Sequence, residues 1–273
     1  MLCSKSSVTG KILDIEDPEI VNGLQTSREI FEVFSKSTPR TDERTVLVRV
    51  LMPSSETSRD RIIKATNSQT SIPSASLRAT DKIHRDIEEF LSPKGLYYDR
   101  RKNQYKNLGK PVKKIVGILY MAQSVMACAL QEPANARARP SAQMKKDDSY
   151  GRIFDPSYSL PLFWNCLTIV RSCEDFLKAS RNEHSNNLRF YVAMLATLRL
   201  CGIPHPRAHE IATLDLRNLT TPFIEQVAKD VHKEYVKLGG TDQVAKGGDL
   251  QDKLLRRHVK DAQKLLRSKS KQA

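Results

Sequence analysis

From about Pro111 onward, apolar residues recur at the three- and four-residue spacing of helices. This pattern predicts helices at 111–130, 160–179, 187–201, 206–213, 222–238 and 250–267. The stretch 134–150 is rich in Arg, Lys and Asp and is predicted to be a loop. Because each apolar helix face needs another element to cover it, this part of the chain is expected to form a mainly helical body.

The first 110 residues show a different pattern, in which short β-branched runs alternate with helical stripes. Strands are predicted at 11–15, 19–21, 45–51 and 96–98, and the run at 45–51 is the clearest. Helices are predicted at 26–36, 58–65 and 81–91. The expected fold class is therefore α+β, with a small N-terminal β-sheet and helices followed by a mainly α-helical C-terminal part.

The expected domains are 1–110, 111–245 and a basic C-terminal helix at 246–273. A sheet of two or three strands is marginal by itself. Either the helices cover this sheet, or strands that normally precede Met1 are missing from the chain.

The chain is strongly basic, with 45 Lys and Arg against 31 Asp and Glu, a formal net charge of +14. Such a surplus favours a nucleic-acid partner, with a solvated surface and an anionic membrane as the alternatives. The longest uncharged run, 115–131, is short for a bilayer span, and no secretory signal follows Met1. Five scattered cysteines without a CxxC pair are typical of reduced thiols. We therefore expect a cytoplasmic protein without a membrane partner.

The densest basic segment is 99–114, where seven Lys and Arg accompany one acid, Asp99. Tyrosines interleaved with cations suit phosphate contacts and base stacking, and a solvated loop is the alternative. The candidate nucleic-acid-binding residues are Tyr98, Arg100, Arg101, Lys102, Lys106, Lys113 and Lys114. The C-terminal helix also carries charge, with eight basic and three acidic residues over 249–273, and its leucine stripe predicts that it docks on the fold.

Two amide-rich loops are candidates for a ligand or nucleotide site. The turn at Asn22 and Gly23 is expected to deliver a strand into a helix N-terminus, which attracts anions, and a capped turn is the alternative. The second loop closes the helix predicted at 58–65, where its side chains also suit helix carbonyls. The candidate ligand-binding residues are Asn22, Gly23, Gln25, Thr26, Asn67 and Gln69.

No motif identifies a catalytic residue or a cofactor, and no metal site is predicted. Four acidic residues lie between 14 and 19, but no Glu-x-Lys on a following strand completes a nuclease-like metal site. His205 and His209 have helical spacing, yet Pro206 lies between them and no acidic base accompanies them. Ser and Cys nucleophile motifs are absent. The residues therefore leave enzymatic activity open.

Three blocks of sequence together resemble a known family. They are Asp-Pro-Glu-Ile-Val-Asn-Gly-Leu-Gln-Thr-Ser at 17–27, Arg-Ile-Ile-Lys-Ala-Thr-Asn-Ser-Gln at 61–69 and Gly-Leu-Tyr-Tyr-Asp-Arg-Arg-Lys at 95–102. In this order and spacing they resemble the abortive-infection phage-resistance (AIPR) proteins over about residues 10–140. The resemblance implies a phage-defence role in a bacterial cytoplasm. It also implies a longer parent, so the chain is expected to be N-terminally truncated or one half of a split gene.

The leading hypothesis is a phage-defence protein that binds DNA or RNA through the basic segment, beside a polar cleft formed by the two amide-rich loops. The alternative is part of a nuclease or nucleotide-hydrolysing enzyme whose catalytic residues lie mainly in a missing N-terminal region. A third hypothesis is a module that senses a phage protein. The expected partners are DNA or RNA, the missing N-terminal half and a phage protein.

Overall fold

The structure is a computed structural model that describes residues 1–35, 45–67 and 78–269. The chain divides into two compact units, residues 1–73 and residues 74–273. Small sheets and a mainly helical second part confirm the expected α+β class. The domain boundaries expected near residues 110 and 245 stay predictions.

The first unit contains a β-hairpin and two described helices. Strands β1 (Lys5–Thr9) and β2 (Ile12–Glu16) pair antiparallel, and Gly10 supplies a positive φ of 63° in the two-residue turn between them. The helices are α1 (Leu24–Ser35) and α2 (Glu56–Asn67). The helix expected from residue 26 therefore begins at Leu24, two residues earlier.

Two strands expected in the first unit are wrong. Residues 19–21 contribute one isolated bridge between Glu19 and Leu2, and residues 45–51 contribute one between Leu51 and Leu2. β-branched residues favour strands only where a neighbouring strand and a covering surface receive them. Leu47, at the centre of the second run, is 98% exposed, so that surface is missing here.

The second unit opens with a helix that leads into a short parallel ladder. Helix α3 (Lys82–Leu91) is followed by a 3-10 turn, and β3 (Tyr97–Asp99) then pairs in parallel with β4 (Ile115–Gly117). Between the strands lies the short helix α4 (Gln104–Asn107). The strand expected at 96–98 is confirmed. The helix expected from 111 starts only at Ile118, because 115–117 complete the ladder.

The remaining described elements are mainly α-helices. They are α5 (Ile118–Cys128), α6 (Pro133–Ala138), α7 (Pro140–Lys145), α8 (Asp147–Ile153), α9 (Leu160–Ala179), α10 (Ser185–Cys201), α11 (Ala208–Ala212), α12 (Thr221–Lys237), α13 (Asp242–Lys246) and α14 (Asp249–Lys269). The prediction of a loop at 134–150 is wrong, because these residues form α6, α7 and the start of α8. Ala136, Met144 and Tyr150 are buried and anchor this stretch to the core.

The core of the second unit is built around α10. All nine residues from Phe190 to Leu198 are buried, and a helix that is buried on every side lies at the centre of its fold. Helices α5, α9 and α12 pack against α10. No helix within residues 1–35, 45–67 and 78–269 has the length and apolar content needed to cross a bilayer.

The basic C-terminal helix docks as the leucine stripe predicted. Leu250 and Leu254 are buried against the core. Arg257 on α14 lies 3.5 Å from a carboxylate oxygen of Asp230 on α12, which also accepts a hydrogen bond from Arg199 at 2.7 Å. Burial alone would raise the pKa of Asp230, but the hydrogen bond from Arg199 and the nearby guanidiniums outweigh it and lower that pKa.

Candidate nucleic-acid interface

The loop between β3 and α4 is held in shape by Asp99. Its two carboxylate oxygens accept hydrogen bonds from the backbone N–H groups of Asn103, at 2.8 Å, and Tyr105, at 3.2 Å. Asn103 adopts a left-handed φ of 65°, which Asn tolerates better than most residues. The single acid of the basic segment therefore fixes the backbone that carries the cations.

A second set of contacts ties this loop to α3. Glu88 accepts a hydrogen bond from Arg100 Nε at 2.6 Å and another from the Tyr105 hydroxyl at 2.6 Å. Arg100 Nη1 also donates to the carbonyl of Ala79 at 2.9 Å. The hydrogen bond to Glu88, with some burial, raises the pKa of Tyr105 to about 12. The Arg100 guanidinium therefore stabilises the fold through these hydrogen bonds, and it does not extend into solvent as a phosphate contact would require.

Five lysines of the segment present their side chains to solvent, and we call them the basic strip: Lys102, Lys106, Lys110, Lys113 and Lys114. Within the part of the chain that the structure describes, no ion pair neutralises them. Arg101 is also exposed at the same loop. Several exposed ammonium groups within one short segment suit contacts to a phosphate backbone.

Two aromatic rings lie beside the basic strip. The ring centroids of Tyr97 and Tyr105 are 5.2 Å apart, with an angle of 38° between the ring planes. The Lys110 ammonium lies 5.2 Å from the Tyr97 centroid, within cation–π range. Tyr97 is only partly buried, so part of its ring surface is open to solvent. The sequence analysis predicted Tyr98, and not Tyr97, as a residue that binds nucleic acid.

Tyr98 points into the protein and is completely buried. It lies in a hydrogen-bonded chain in which His84 Nδ1 is 2.9 Å from the Tyr98 hydroxyl and His84 Nε2 is 3.1 Å from the Tyr150 hydroxyl. Tyr150 donates its proton to Asp81 at 2.6 Å. His84 Nε2 must therefore donate to Tyr150, while Nδ1 accepts from Tyr98. This arrangement needs a neutral imidazole.

Burial, together with the positive charges of Arg100 and Arg78, lowers the pKa of His84 to about 3. The neutral ring required by the hydrogen bonds is therefore the stable form at pH 7. Tyr98 connects β3 to this buried chain, which sets the position of the strand from which the loop and the basic strip extend.

The two amide-rich loops of the first unit contact each other. Asn22 Nδ2 donates to the backbone carbonyl of Thr66 at 2.9 Å, and Asn22 Oδ1 accepts from the N–H of Gly23 at 2.7 Å. Asn22 thus links the start of α1 to the end of α2. Gln25 makes only a 3.5 Å contact with Glu29, and Thr26 is exposed. Binding of a ligand at these residues stays a prediction.

Two further candidates, Asn67 and Gln69, belong to the second loop. The backbone of Asn67 ends α2, and its side chain lies outside the described residues, as does the whole of Gln69. Among the residues that the structure describes, no group of three His, Cys, Asp or Glu side chains is placed to hold a metal ion.

Comparison with protein families decides the identity of the chain. The model of the AIPR protein family matches residues 2–271, nearly the whole sequence. The chain belongs to the AIPR family. No curated protein and no solved structure matches it.

Membership of the AIPR family supports an abortive-infection phage-defence protein, the role that the three sequence blocks implied. The match also extends past the residues 10–140 over which those blocks were recognised. In this AIPR protein the first two blocks meet through the hydrogen bond from Asn22 to Thr66. The third block forms β3 and the start of the basic segment.

Proposed function

We propose that this AIPR protein acts in the bacterial cytoplasm by binding DNA or RNA through the basic strip. The observation that carries the proposal is the set of five exposed lysines that lie on and just after a loop held by hydrogen bonds to Asp99 and Glu88. Because the backbone that carries Lys102 and Lys106 is already ordered, binding does not have to order it, and less conformational entropy is lost.

The distribution of charge along the chain agrees with this proposal. Residues 1–73 contain ten basic and ten acidic residues, so the whole surplus of 14 belongs to residues 74–273. A solubility role would need no such separation. A positive second unit attracts a polyanion over a Debye length of about 8–10 Å at physiological salt.

The direct test measures binding of mixed-sequence DNA and RNA as a function of salt. Affinity is expected to fall steeply with salt, because each neutralised phosphate releases counterions. Replacing Lys102, Lys106 and Lys113 together with Gln should flatten the slope of log affinity against log salt by about 2–3, since each phosphate contact contributes about 0.9.

The matched control replaces Lys178, Lys229 and Lys233 with Gln, which changes the net charge equally at exposed positions on α9 and α12. This control should leave the slope nearly unchanged. Equal slopes for both triple variants would contradict the proposal, as would binding that is absent or independent of salt.

The tyrosines beside the basic strip predict a preference for single strands. Stacking of one base on an aromatic ring contributes about 1–3 kcal/mol, and bases are open for stacking only outside a duplex. Tyr97→Ala is therefore expected to weaken single-stranded binding by about 5- to 100-fold and duplex binding much less.

Tyr97→Phe keeps the ring and should bind single strands like the natural protein. Fluorescence anisotropy with a single strand and its duplex at one salt concentration distinguishes the cases. An equal loss for Tyr97→Ala and Tyr97→Phe, or equal losses on both substrates, would show that the ring does not stack on bases.

A further inference from the structure

The first unit exposes much of its apolar material. Among its described hydrophobic residues, only Leu2 and Cys3 are buried. Helix α1 has no buried residue, although Ile30, Phe31 and Phe34 form an apolar stripe at helical spacing. An amphipathic helix whose apolar face meets water is stable only when something covers that face.

The exposed side chains lie on three elements of this unit. Val8 on the hairpin is 73% exposed, Phe31 on α1 is 71% exposed, and Leu47 in the segment 45–50 is 98% exposed. Ile12, Phe34 and Val46, on the same three elements, are also exposed. Apolar side chains in water are a cost that an interface would remove.

The segment 45–50 also offers an open backbone edge. The backbone groups of Arg49 and Leu51 point toward residues 1–3 and hydrogen-bond to them. The Arg49 carbonyl accepts from the Met1 nitrogen, and the Leu51 N–H donates to the Met1 carbonyl at 3.1 Å. Because backbone groups alternate along an extended chain, those of Val48 and Val50 face the opposite side. No described residue hydrogen-bonds to them there, so this side can accept another strand.

The charge pattern favours a second copy of the chain as the occupant. The first unit is neutral, with ten basic and ten acidic residues, whereas the second unit carries the whole surplus. Two copies can therefore approach through their first units without net repulsion, and they repel through their second units. The segment is also self-complementary in antiparallel register: Val48 would lie opposite Val48 of the second copy, and Leu47 opposite Arg49, so no like charges face each other.

We propose that the described part of the first unit forms a two-fold dimerisation surface, in which segment 45–50 of one copy pairs antiparallel with the same segment of a second copy. The pairing supplies partners for the open backbone groups and covers the apolar side chains around Leu47. The dimer carries two basic strips, one on each copy.

The test measures the mass of the full chain by sedimentation equilibrium over a range of concentrations. The natural protein is expected to dimerise at micromolar concentration. Val48→Asp should raise the dimer dissociation constant at least tenfold, because the two aspartates face each other across the two-fold axis. Val236→Asp is the matched control, since Val48 is 54% exposed and Val236, on α12, is 52% exposed.

Three outcomes would overturn the proposal. The natural chain could remain monomeric at concentrations of about 100 µM, far above the micromolar range expected for the dimer. Val48→Asp and Val236→Asp could change the dissociation constant equally, which would place the contact elsewhere. A complex formed only with a different polypeptide would assign the surface to that partner.

Discussion

Acidification from pH 6.5 to pH 4 is expected to destabilise the protein through His84. The folded state keeps this ring neutral, because burial and the positive charges of Arg100 and Arg78 lower its pKa to about 3. In the unfolded chain the same ring has an ordinary pKa near 6.5. Between these two values the unfolded state binds one more proton than the folded state, so stability falls as the pH falls.

The expected size approaches about 1.4 kcal/mol per pH unit within this window, which amounts to about 3 kcal/mol between pH 6.5 and pH 4. Protonation also breaks the chain of hydrogen bonds, because a charged imidazole has no lone pair for the Tyr98 hydroxyl. His258 acts in the same direction, since burial lowers its pKa as well. The contribution of His84 is therefore measured as a difference between variants.

The measurement is the free energy of unfolding by urea at pH 7, 6, 5 and 4.5, and carboxylate titration is common to all the variants compared. His84→Gln cannot take up a proton. The slope of its free energy of unfolding against pH should therefore be smaller than that of the natural chain by about 1.4 kcal/mol per pH unit, the value for one proton. His209→Gln, at a surface position, should behave like the natural chain. Parallel pH profiles for the natural chain and His84→Gln would show that this ring is not the titrating group.

The helices of the second unit could be predicted from the sequence because their apolar residues repeat over many turns. The prediction for 160–179 coincides with α9, and that for 222–238 differs from α12 by one residue at each end. The short helices α6 and α7 were missed, since Ala136 and Met144 each supply one buried side chain and leave no periodic stripe. Their helicity depends on contacts with α5 that only the folded chain reveals.

The strand prediction at 45–51 failed for a different reason. The segment Thr-Val-Leu-Val-Arg-Val-Leu has the residues of a strand, but a strand exists only when another backbone pairs with it. In the described chain only Arg49 and Leu51 of this segment hydrogen-bond to another backbone, that of residues 1–3. The sequence of this segment thus favours pairing with another strand, and the proposed dimer would supply that strand.

The density of basic residues predicted where the candidate site lies, but it did not predict which side chains of the segment face solvent. Neighbouring residues of a strand point to opposite faces, so one of Tyr97 and Tyr98 had to be buried, and composition cannot tell which. In the sequence Asp99 counts only as one negative charge, but in the structure its carboxylate accepts hydrogen bonds from two backbone N–H groups. Arg100 was predicted to contact phosphate, but its guanidinium is bound to Glu88.

Glu88→Ala is expected to destabilise the fold beside the basic strip. The Glu88 and Arg100 side chains are only 18% and 24% exposed, so the variant leaves a partly buried guanidinium without its carboxylate. Loss of this ion pair and of the hydrogen bond from Tyr105 should cost about 2–3 kcal/mol. The loop also loses its tie to α3, so binding of nucleic acid should weaken although one negative charge has been removed.

The control is Glu89→Ala, the next residue on α3, which is exposed and carries the same charge. Spectrophotometric titration should show the Tyr105 pKa falling from about 12 toward its ordinary value near 10 in Glu88→Ala and unchanged in Glu89→Ala. Because the raised pKa stabilises the fold fully below pH 10 and less from pH 10 to 12, the stability difference between Glu88→Ala and the natural chain should shrink over that range. Stronger nucleic-acid binding by Glu88→Ala than by Glu89→Ala would mean that net charge, rather than an ordered loop, governs the interface.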